Sequence, residues 1–236
     1  NRMYDFSTKN LTSKNFLIKF FKNKKIKKEK LMKKALFVSV VPKKYLIVKN
    51  VLKRLFAIES IEIKNKKIKK EIKINIKNPA QVGSDRIANA LAVFKIYKSD
   101  SIVIDFGTAT TFDVVSKKGI YDGGLIAPGI ELSIKNLYKS TALLPLVNLK
   151  KIKKIIGKNT VHAMRSGFYW GYLGLAKNII ENIKKQTKKN YTLVCTGGLS
   201  ELFAKSISKR SIIDKNLTIK GVIEIYKINE KIFINK

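Results

Sequence analysis

Apolar and polar positions follow two different periods along the first part of the chain. Residues 11–22 and 44–56 carry apolar side chains three or four positions apart, which predicts helices. Residues 35–41 form an apolar run that ends at Pro42 and predicts a strand. In residues 61–76 isoleucine alternates in places with lysine or glutamate, which predicts one or two half-exposed antiparallel strands.

The second part of the chain repeats this mixture of periods. Strands are predicted at 101–105, 111–116, 120–126 and 191–196, and helices at 86–97, from Gly129 to about Lys139, at 160–185 and at 199–207. The first three of these strands form a meander with turns at Gly107 and Gly119. Two α/β domains follow from this pattern, residues 1–99 and residues 100–236, each with a mixed sheet and flanking helices.

Composition limits the class of protein. The chain has 236 residues, of which 45% are hydrophobic and 9% aromatic, and this is typical of a folded globular protein. Its apolar runs are too short to cross a bilayer, and residues 1–14 lack the apolar region of a secretory signal. Cys195 is the single cysteine, so an internal disulfide is excluded. These features predict a soluble, cytoplasmic protein without a membrane partner.

The net charge of +34 has two interpretations. The first is a surface that binds nucleic acid or an anionic membrane. The second is a lysine-rich surface without such a partner. The second is favoured because only five of the 50 basic residues are arginine, the residue best suited to read phosphates and bases. The lysines are also spread along the whole chain, so a nucleic-acid partner is not expected.

One strand ends in residues suited to phosphate binding. Residues 102–104 are β-branched and apolar, and they lead into Asp105, Gly107, Thr108 and further threonines. A glycine lets the backbone approach a ligand, and hydroxyl groups beside free N–H groups suit phosphate oxygens. Asp105 would be costly to bury unpaired, so we expect a cation or a hydrogen-bond donor beside it.

Several short motifs carry a closer resemblance. They are residues 82–86 (Val-Gly-Ser-Asp-Arg), 105–111 (Asp-Phe-Gly-Thr-Ala-Thr-Thr), 123–129 (Gly-Gly-Leu-Ile-Ala-Pro-Gly), 157–160 (Gly-Lys-Asn-Thr) and 196–198 (Thr-Gly-Gly). In order and spacing the chain resembles type III pantothenate kinase, within the superfamily of sugar kinases, heat-shock ATPases and actin. The resemblance implies two actin-like, ribonuclease H-like domains and a homodimer. It also implies ATP-dependent phosphorylation of pantothenate, the first step of coenzyme A biosynthesis.

The resemblance also implies roles for individual residues. Asp85 would be the general base that orients the pantothenate hydroxyl. Asp105 would hold a monovalent cation, potassium or ammonium, and Thr108 would contact ATP, which is used with Mg²⁺. The pantothenate pocket would be formed by Gly83, Ser84, Asp85, Arg86 and Thr160.

Each of these residues also has a structural interpretation. Asp85 could be the N-cap of the following helix, and Arg86 could be an arginine on the helix surface. Asp105 could cap its turn. Thr160 could be the N-cap of the long helix in addition to its binding role. Lone His162 and Cys195 fit structural positions better than catalytic ones, and Trp170 fits a core or dimer contact.

Two features depart from the family pattern. Ile76 stands where the family usually has a tyrosine of the substrate site, and isoleucine cannot donate that hydrogen bond. The family's first phosphate-binding hairpin, Asp-Xaa-Gly-Asn-Thr, is not found, and Asn1–Lys9 resembles the segment that follows it. We therefore expect an incomplete N-terminal domain in a partial sequence, and weak or absent activity if the protein begins here. A catalytically impaired regulatory relative is the alternative.

Overall fold

The structure, a computed structural model, describes residues 11, 13–26, 33–39 and 41–234. The α-helices are α1 (Lys14–Asn23), α2 (Pro42–Phe56), α3 (Ser84–Ala92), α4 (Ile130–Lys139), α5 (Thr160–Thr187), α6 (Ser200–Ile207), α7 (Leu217–Ile228) and α8 (Glu230–Ile234). A 3₁₀ helix spans Pro79–Gln81, and a π-helix, Val93–Tyr97, follows α3. The strands are β1 (Lys34–Phe37), β2 (Glu59–Glu62), β3 (Lys73–Ile74), β4 (Ser101–Phe106), β5 (Ala109–Val115), β6 (Ile120–Pro128), β7 (Thr192–Gly197) and β8 (Ile212–Ile213).

A six-stranded mixed sheet forms the centre of the described structure. Its strand order is β3-β6-β5-β4-β7-β8. The meander β4-β5-β6 is antiparallel, whereas β7 lies parallel to β4 and β8 parallel to β7. Since β4 and β7 run in the same direction, their carboxyl ends meet at one edge of the sheet. This edge carries the predicted phosphate-binding residues.

Alternating side chains of the sheet enter two cores on its opposite faces. On one face Ile102, Ile104 and Cys195 pack with apolar residues of α4, α5 and α6. On the other face Val103 and Val194 pack with residues of α3, α7 and α8. The mixed sheet with flanking helices confirms the predicted α/β fold class. The division into residues 1–99 and 100–236 stays a prediction.

Helix α2 lies on a smaller sheet, and α1 packs on α2. Strands β1 and β2 pair in parallel, and α1 packs against α2 through Leu17 and Val51, both buried. Ser13 caps α1 by accepting a hydrogen bond from the backbone N–H of Phe16. The segment Asn1–Lys9, which the sequence relates to the region after a first hairpin, lies outside the described residues.

Three local predictions were wrong. Residues 61–76 do not form antiparallel strands, since β2 pairs in parallel with β1 and β3 in parallel with β6. Asp85 is not an N-cap: Gly83 holds that position, and Asp85 lies inside the first turn of α3. Thr160 is not an N-cap either, because Asn159 accepts the hydrogen bond from the N–H of His162. In both helices the cap lies one or two residues earlier than predicted.

The C-terminal helices hold earlier parts of the chain. Gly221 of α7 lies so close to α3 that a Cβ atom on it would be 1.9 Å from the carbonyl oxygen of Ala88. The buried side chain of Asn229 donates to the carbonyl of Lys69 at 2.7 Å and accepts from its N–H at 2.8 Å. In the part of the chain that the structure describes, no helix combines the length and apolarity needed to cross a membrane.

Candidate active site

The carboxyl ends of β4 and β7 bring Asp105 and Gly197 together. Gly197 pairs with Phe106 in the parallel ladder and has a φ of 85°, a left-handed conformation that favours glycine. A Cβ atom on Gly197 would lie 2.6 Å from Oδ1 of Asp105. The absence of a side chain at Gly197 therefore leaves room for the Asp105 carboxylate at the edge of the sheet. This explains why Thr-Gly-Gly follows a buried strand.

The Asp105 side chain accepts a hydrogen bond from α3, but it is largely buried and lies near other negative charges. Its Oδ2 accepts a hydrogen bond from the Asn89 side chain at 3.3 Å, and Asn89 in turn accepts from the Thr218 hydroxyl at 2.7 Å. Burial, with the negative charges of Asp85 and Asp113, raises the pKa of Asp105 to about 6, against the lowering effect of the Asn89 hydrogen bond. Asn89 is therefore a hydrogen-bond donor of the kind expected beside Asp105. A bound cation would further favour the ionised carboxylate.

The turn between β4 and β5 is fixed by a close backbone approach. The N–H of Gly107 donates to the carbonyl of Ala109 at 3.1 Å. A Cβ atom on Gly129 would lie 2.0 Å from the carbonyl oxygen of Thr108, so only glycine fits before α4. The Thr108 side chain itself is exposed. Gly129, the last residue of motif 123–129, thus allows the close backbone approach at the turn that is predicted to bind phosphate.

The start of α3 places two predicted site residues next to each other. Asp85 is half-buried, and its Oδ1 accepts a hydrogen bond from the N–H of Arg86 at 2.8 Å. A negative charge in the first turn of a helix is also stabilised by the helix dipole. The buried hydroxyl of Ser84 donates to Glu62 of β2, so the start of α3 is tied to the smaller sheet.

Arg86 is paired with a carboxylate that the sequence analysis did not select. Its Nε donates to Oδ1 of Asp113 at 2.7 Å, and its side chain is only 14% exposed. The Tyr121 hydroxyl donates to the same oxygen at 2.7 Å. The interpretation of Arg86 as a surface arginine is therefore wrong. A useful signal was present, because Asp113 is a charged residue between apolar Phe112 and Val114 of β5.

One predicted residue and one cavity are not part of this hydrogen-bonded cluster. Thr160 is exposed at the start of α5, and within the described residues no hydrogen bond connects its side chain to the cluster. A cavity of about 1180 Å³ lies at the opposite ends of β4 and β7, beside Asp100, Lys117 and Thr192. None of the motif residues lines it, so this cavity is not the site that the motifs define.

The described residues contain no cluster of three or more acidic, histidine or cysteine side chains that could hold a metal ion by themselves. Mg²⁺ in kinases is usually held by one or two carboxylates together with the substrate phosphates. Half-buried Asp85 and Asp105 meet that requirement, since Asp85 lies close enough to raise the pKa of Asp105. These residues therefore fit a metal that arrives with a nucleotide.

A strand-end carboxylate, a glycine-lined backbone and a polar turn are typical of sites that bind phosphate groups, as in phosphotransferases. A sequence model of the family described as type III pantothenate kinase matches residues 3–182. The chain belongs to the type III pantothenate kinase family, and it is a phosphotransferase that uses ATP and a divalent metal on a small-molecule substrate.

Individual relatives agree with this assignment. The type III pantothenate kinase of Pelagibacter ubique (strain HTCC1062) is 47% identical over 190 residues, covering 80% of this chain and 75% of that protein. The enzyme of Koribacter versatilis (strain Ellin345) is 43% identical over 192 residues, covering 81% and 70%. A crystal structure from Campylobacter jejuni, of a conserved protein assigned to the Baf family of transcriptional activators, superimposes with a TM-score of 0.59 at 25% identity, covering 86% and 87%.

Ionisation of Asp105 should destabilise the fold. Because the folded state raises the pKa of this carboxyl from 3.8 to about 6, its contribution to stability falls as pH rises from about 4 to above 6. We expect Asp105→Asn to be more stable than the wild type at pH 7.5, by on the order of 2–3 kcal/mol, and the difference to vanish near pH 4.

Urea unfolding of both proteins across this pH range measures the difference. Asp122→Asn is the matched control, because Asp122 is an exposed carboxylate on β6 and the substitution removes the same charge. A pH-independent difference between Asp105→Asn and the wild type would show that ionisation of Asp105 does not govern its stability.

Proposed function

We infer that this protein transfers the γ-phosphoryl group of ATP to the primary hydroxyl of pantothenate, the first step of coenzyme A biosynthesis. The family match over residues 3–182 carries this conclusion. The geometry supports it, because Asp85 and Asp105 come from motifs that are separate in sequence and lie close together in space. The further roles below are proposals that rest on this function.

We propose that Asp85 orients the pantothenate hydroxyl and accepts its proton. The transition state of phosphoryl transfer is loose, so positioning of the nucleophile contributes more than strong basicity. One oxygen of Asp85 is fixed by the N–H of Arg86 at 2.8 Å. The carboxylate is thereby oriented while its other oxygen is available to a substrate hydroxyl.

We propose that Gly83, Ser84 and Arg86 form the pantothenate pocket with Asp85. The Ser84 hydroxyl is engaged by Glu62, so Ser84 would contact substrate through its backbone. A Cβ atom on Gly83 would lie 2.5 Å from Oδ1 of Asp85, so glycine is needed for this carboxylate conformation. Arg86 would pair with the carboxylate of pantothenate.

We propose that Asp105 and Thr108 serve the nucleotide. Thr108 is exposed at the β4–β5 turn, where its hydroxyl and neighbouring N–H groups suit phosphate oxygens. Asp105 would hold the monovalent cation, potassium or ammonium, which would offset the negative charge of Asp85 and Asp113 around it. The cation would supply positive charge beside the phosphates.

We propose a cytoplasmic homodimer in which Thr160 completes the pantothenate pocket of the partner subunit. Thr160 is exposed at the start of α5, so its side chain is accessible to a neighbouring subunit. Apolar side chains in the segment before α5 are unusually exposed, with Leu143 at 91% and Ile156 at 72%. Such residues favour burial in an interface. Sedimentation velocity at micromolar concentration tests this, and a monomer would contradict it.

The central test is a kinase assay on the complete gene product with ATP, Mg²⁺, K⁺ and pantothenate. We expect a phosphorylated product whose mass exceeds that of pantothenate by one phosphoryl group. Pantetheine and simple sugars are the substrate controls. Nucleotide binding without turnover of pantothenate would instead support the catalytically impaired relative.

A further inference from the structure

Asp113 is a buried carboxylate with an unusual set of partners. Its side chain is fully buried, and its Oδ1 lies 2.7 Å from Nε and 2.6 Å from Nη2 of Arg86. The same oxygen accepts from the Tyr121 hydroxyl at 2.7 Å, and Oδ2 accepts from the Thr111 hydroxyl at 3.3 Å. An isolated carboxylate would be costly at this depth, so these donors fix its position.

The arginine is confined from several sides. Its Cζ lies 5.8 Å from the centroid of the Tyr121 ring, within the range of a cation–π contact. A Cβ atom on Gly124 would lie 2.8 Å from Nη2. Arg86 therefore has a fixed guanidinium orientation, because α3 supplies its backbone and β5 and β6 supply its contacts.

Part of the guanidinium remains available for a ligand. Nη2 is buried and lies 2.6 Å from Oδ1 of Asp113, so the ion pair occupies this side of the guanidinium, while 14% of the Arg86 side chain remains exposed. The hydrogen bond that the structure does record from this side chain to Asp113 uses Nε. A planar guanidinium with unused donors is suited to a carboxylate. Arg86 also follows Asp85 directly, so a substrate at Asp85 is within reach.

We propose that Asp113 is a positioning residue for substrate recognition. By holding Nε of Arg86, Asp113 presents the remaining N–H groups of the guanidinium to the carboxylate of pantothenate, and Tyr121 holds Asp113 in place. This inference rests on the proposed function of the site. The buried ion pair between Arg86 of α3 and Asp113 of β5 would thus make the site selective for an anionic substrate.

The test compares pantothenate with pantothenol, which carries a hydroxymethyl group in place of the carboxylate. For Asp113→Asn we expect the KM for pantothenate to rise at least tenfold, while kcat and the KM for ATP stay within threefold. The ratio of the dissociation constants of pantothenol and pantothenate should fall at least fivefold. A merely structural role would lower stability without changing this ratio.

Two further variants keep the test decisive. Asp122→Asn, on the exposed side of β6, is the matched control and should keep the wild-type ratio. Tyr121→Phe removes one donor to Asp113 and should shift the ratio in the same direction by a smaller factor. This variant provides the test if Asp113→Asn does not fold. A wild-type ratio in a folded Asp113→Asn or Tyr121→Phe protein would overturn the proposal. Absence of wild-type turnover would instead contradict the proposed function.

Discussion

Asp85→Asn is expected to lower kcat for pantothenate phosphorylation by about 10²–10⁴-fold, the usual contribution of a positioned general base. Asparagine keeps the size of the side chain and its acceptor for the N–H of Arg86, but it cannot take a proton. The KM for ATP should stay within threefold, because Asp85 is proposed to act on the hydroxyl. Steady-state kinetics of the complete gene product measures both parameters.

The control for this variant must separate catalysis from loss of charge. Asp122→Asn removes one negative charge from an exposed position and should keep kcat near the wild-type value. A thermal unfolding curve confirms that Asp85→Asn is folded. A kcat within threefold of wild type would exclude Asp85 as the general base. Positioning of the substrate by the metal would then account for the rate of phosphoryl transfer.

Gly221→Ala is expected to lower the free energy of unfolding by about 3 kcal/mol, the upper part of the range for overpacked cores. The added methyl group would lie 1.9 Å from the carbonyl oxygen and 2.5 Å from the carbonyl carbon of Ala88. Both atoms are backbone, so α3 and α7 would have to separate. Activity should fall as well, because α3 carries Asp85 and Arg86.

Gly174→Ala supplies the matched control. It adds the same methyl group inside helix α5, where nothing beyond the neighbouring residues and the backbone of the same helix lies within 4 Å of the added carbon. Alanine is the better helix former, so we expect this variant to equal or exceed the wild type in stability, by up to about 1 kcal/mol. Urea unfolding compares the two, and equal stability of Gly221→Ala and Gly174→Ala would contradict the close packing of α3 and α7.

Local pattern was sufficient to predict most of the elements around the site. Residues 101–105 and 191–196 read as buried strands because both of their faces are covered, and helices α4 and α5 follow capping residues or glycine. The motif residues Asp85 and Asp105 could be selected because carboxylates after glycine or after an apolar strand suggest chemistry. Their proximity to each other was implied only by the family resemblance.

Features that depend on distant partners could not be predicted. Asn89 lies inside a helix of small residues, and its role appears only when β4 and α7 supply Asp105 and Thr218. The direction of β2 and β3 depends on β1 and β6, and alternation of isoleucine with lysine does not encode direction. Strand β8 has only two residues, too few for a periodic signal.

The contact between Asn229 and Lys69 has a consequence for biosynthesis. The two residues are 160 positions apart, and both hydrogen bonds join the Asn229 side chain to the Lys69 backbone. At ribosomal elongation rates, Lys69 is made on the order of ten seconds or more before Asn229. In a nascent chain the Lys69 backbone therefore lacks these two hydrogen bonds until Asn229 has been synthesised, and a premature stop before Asn229 removes them permanently.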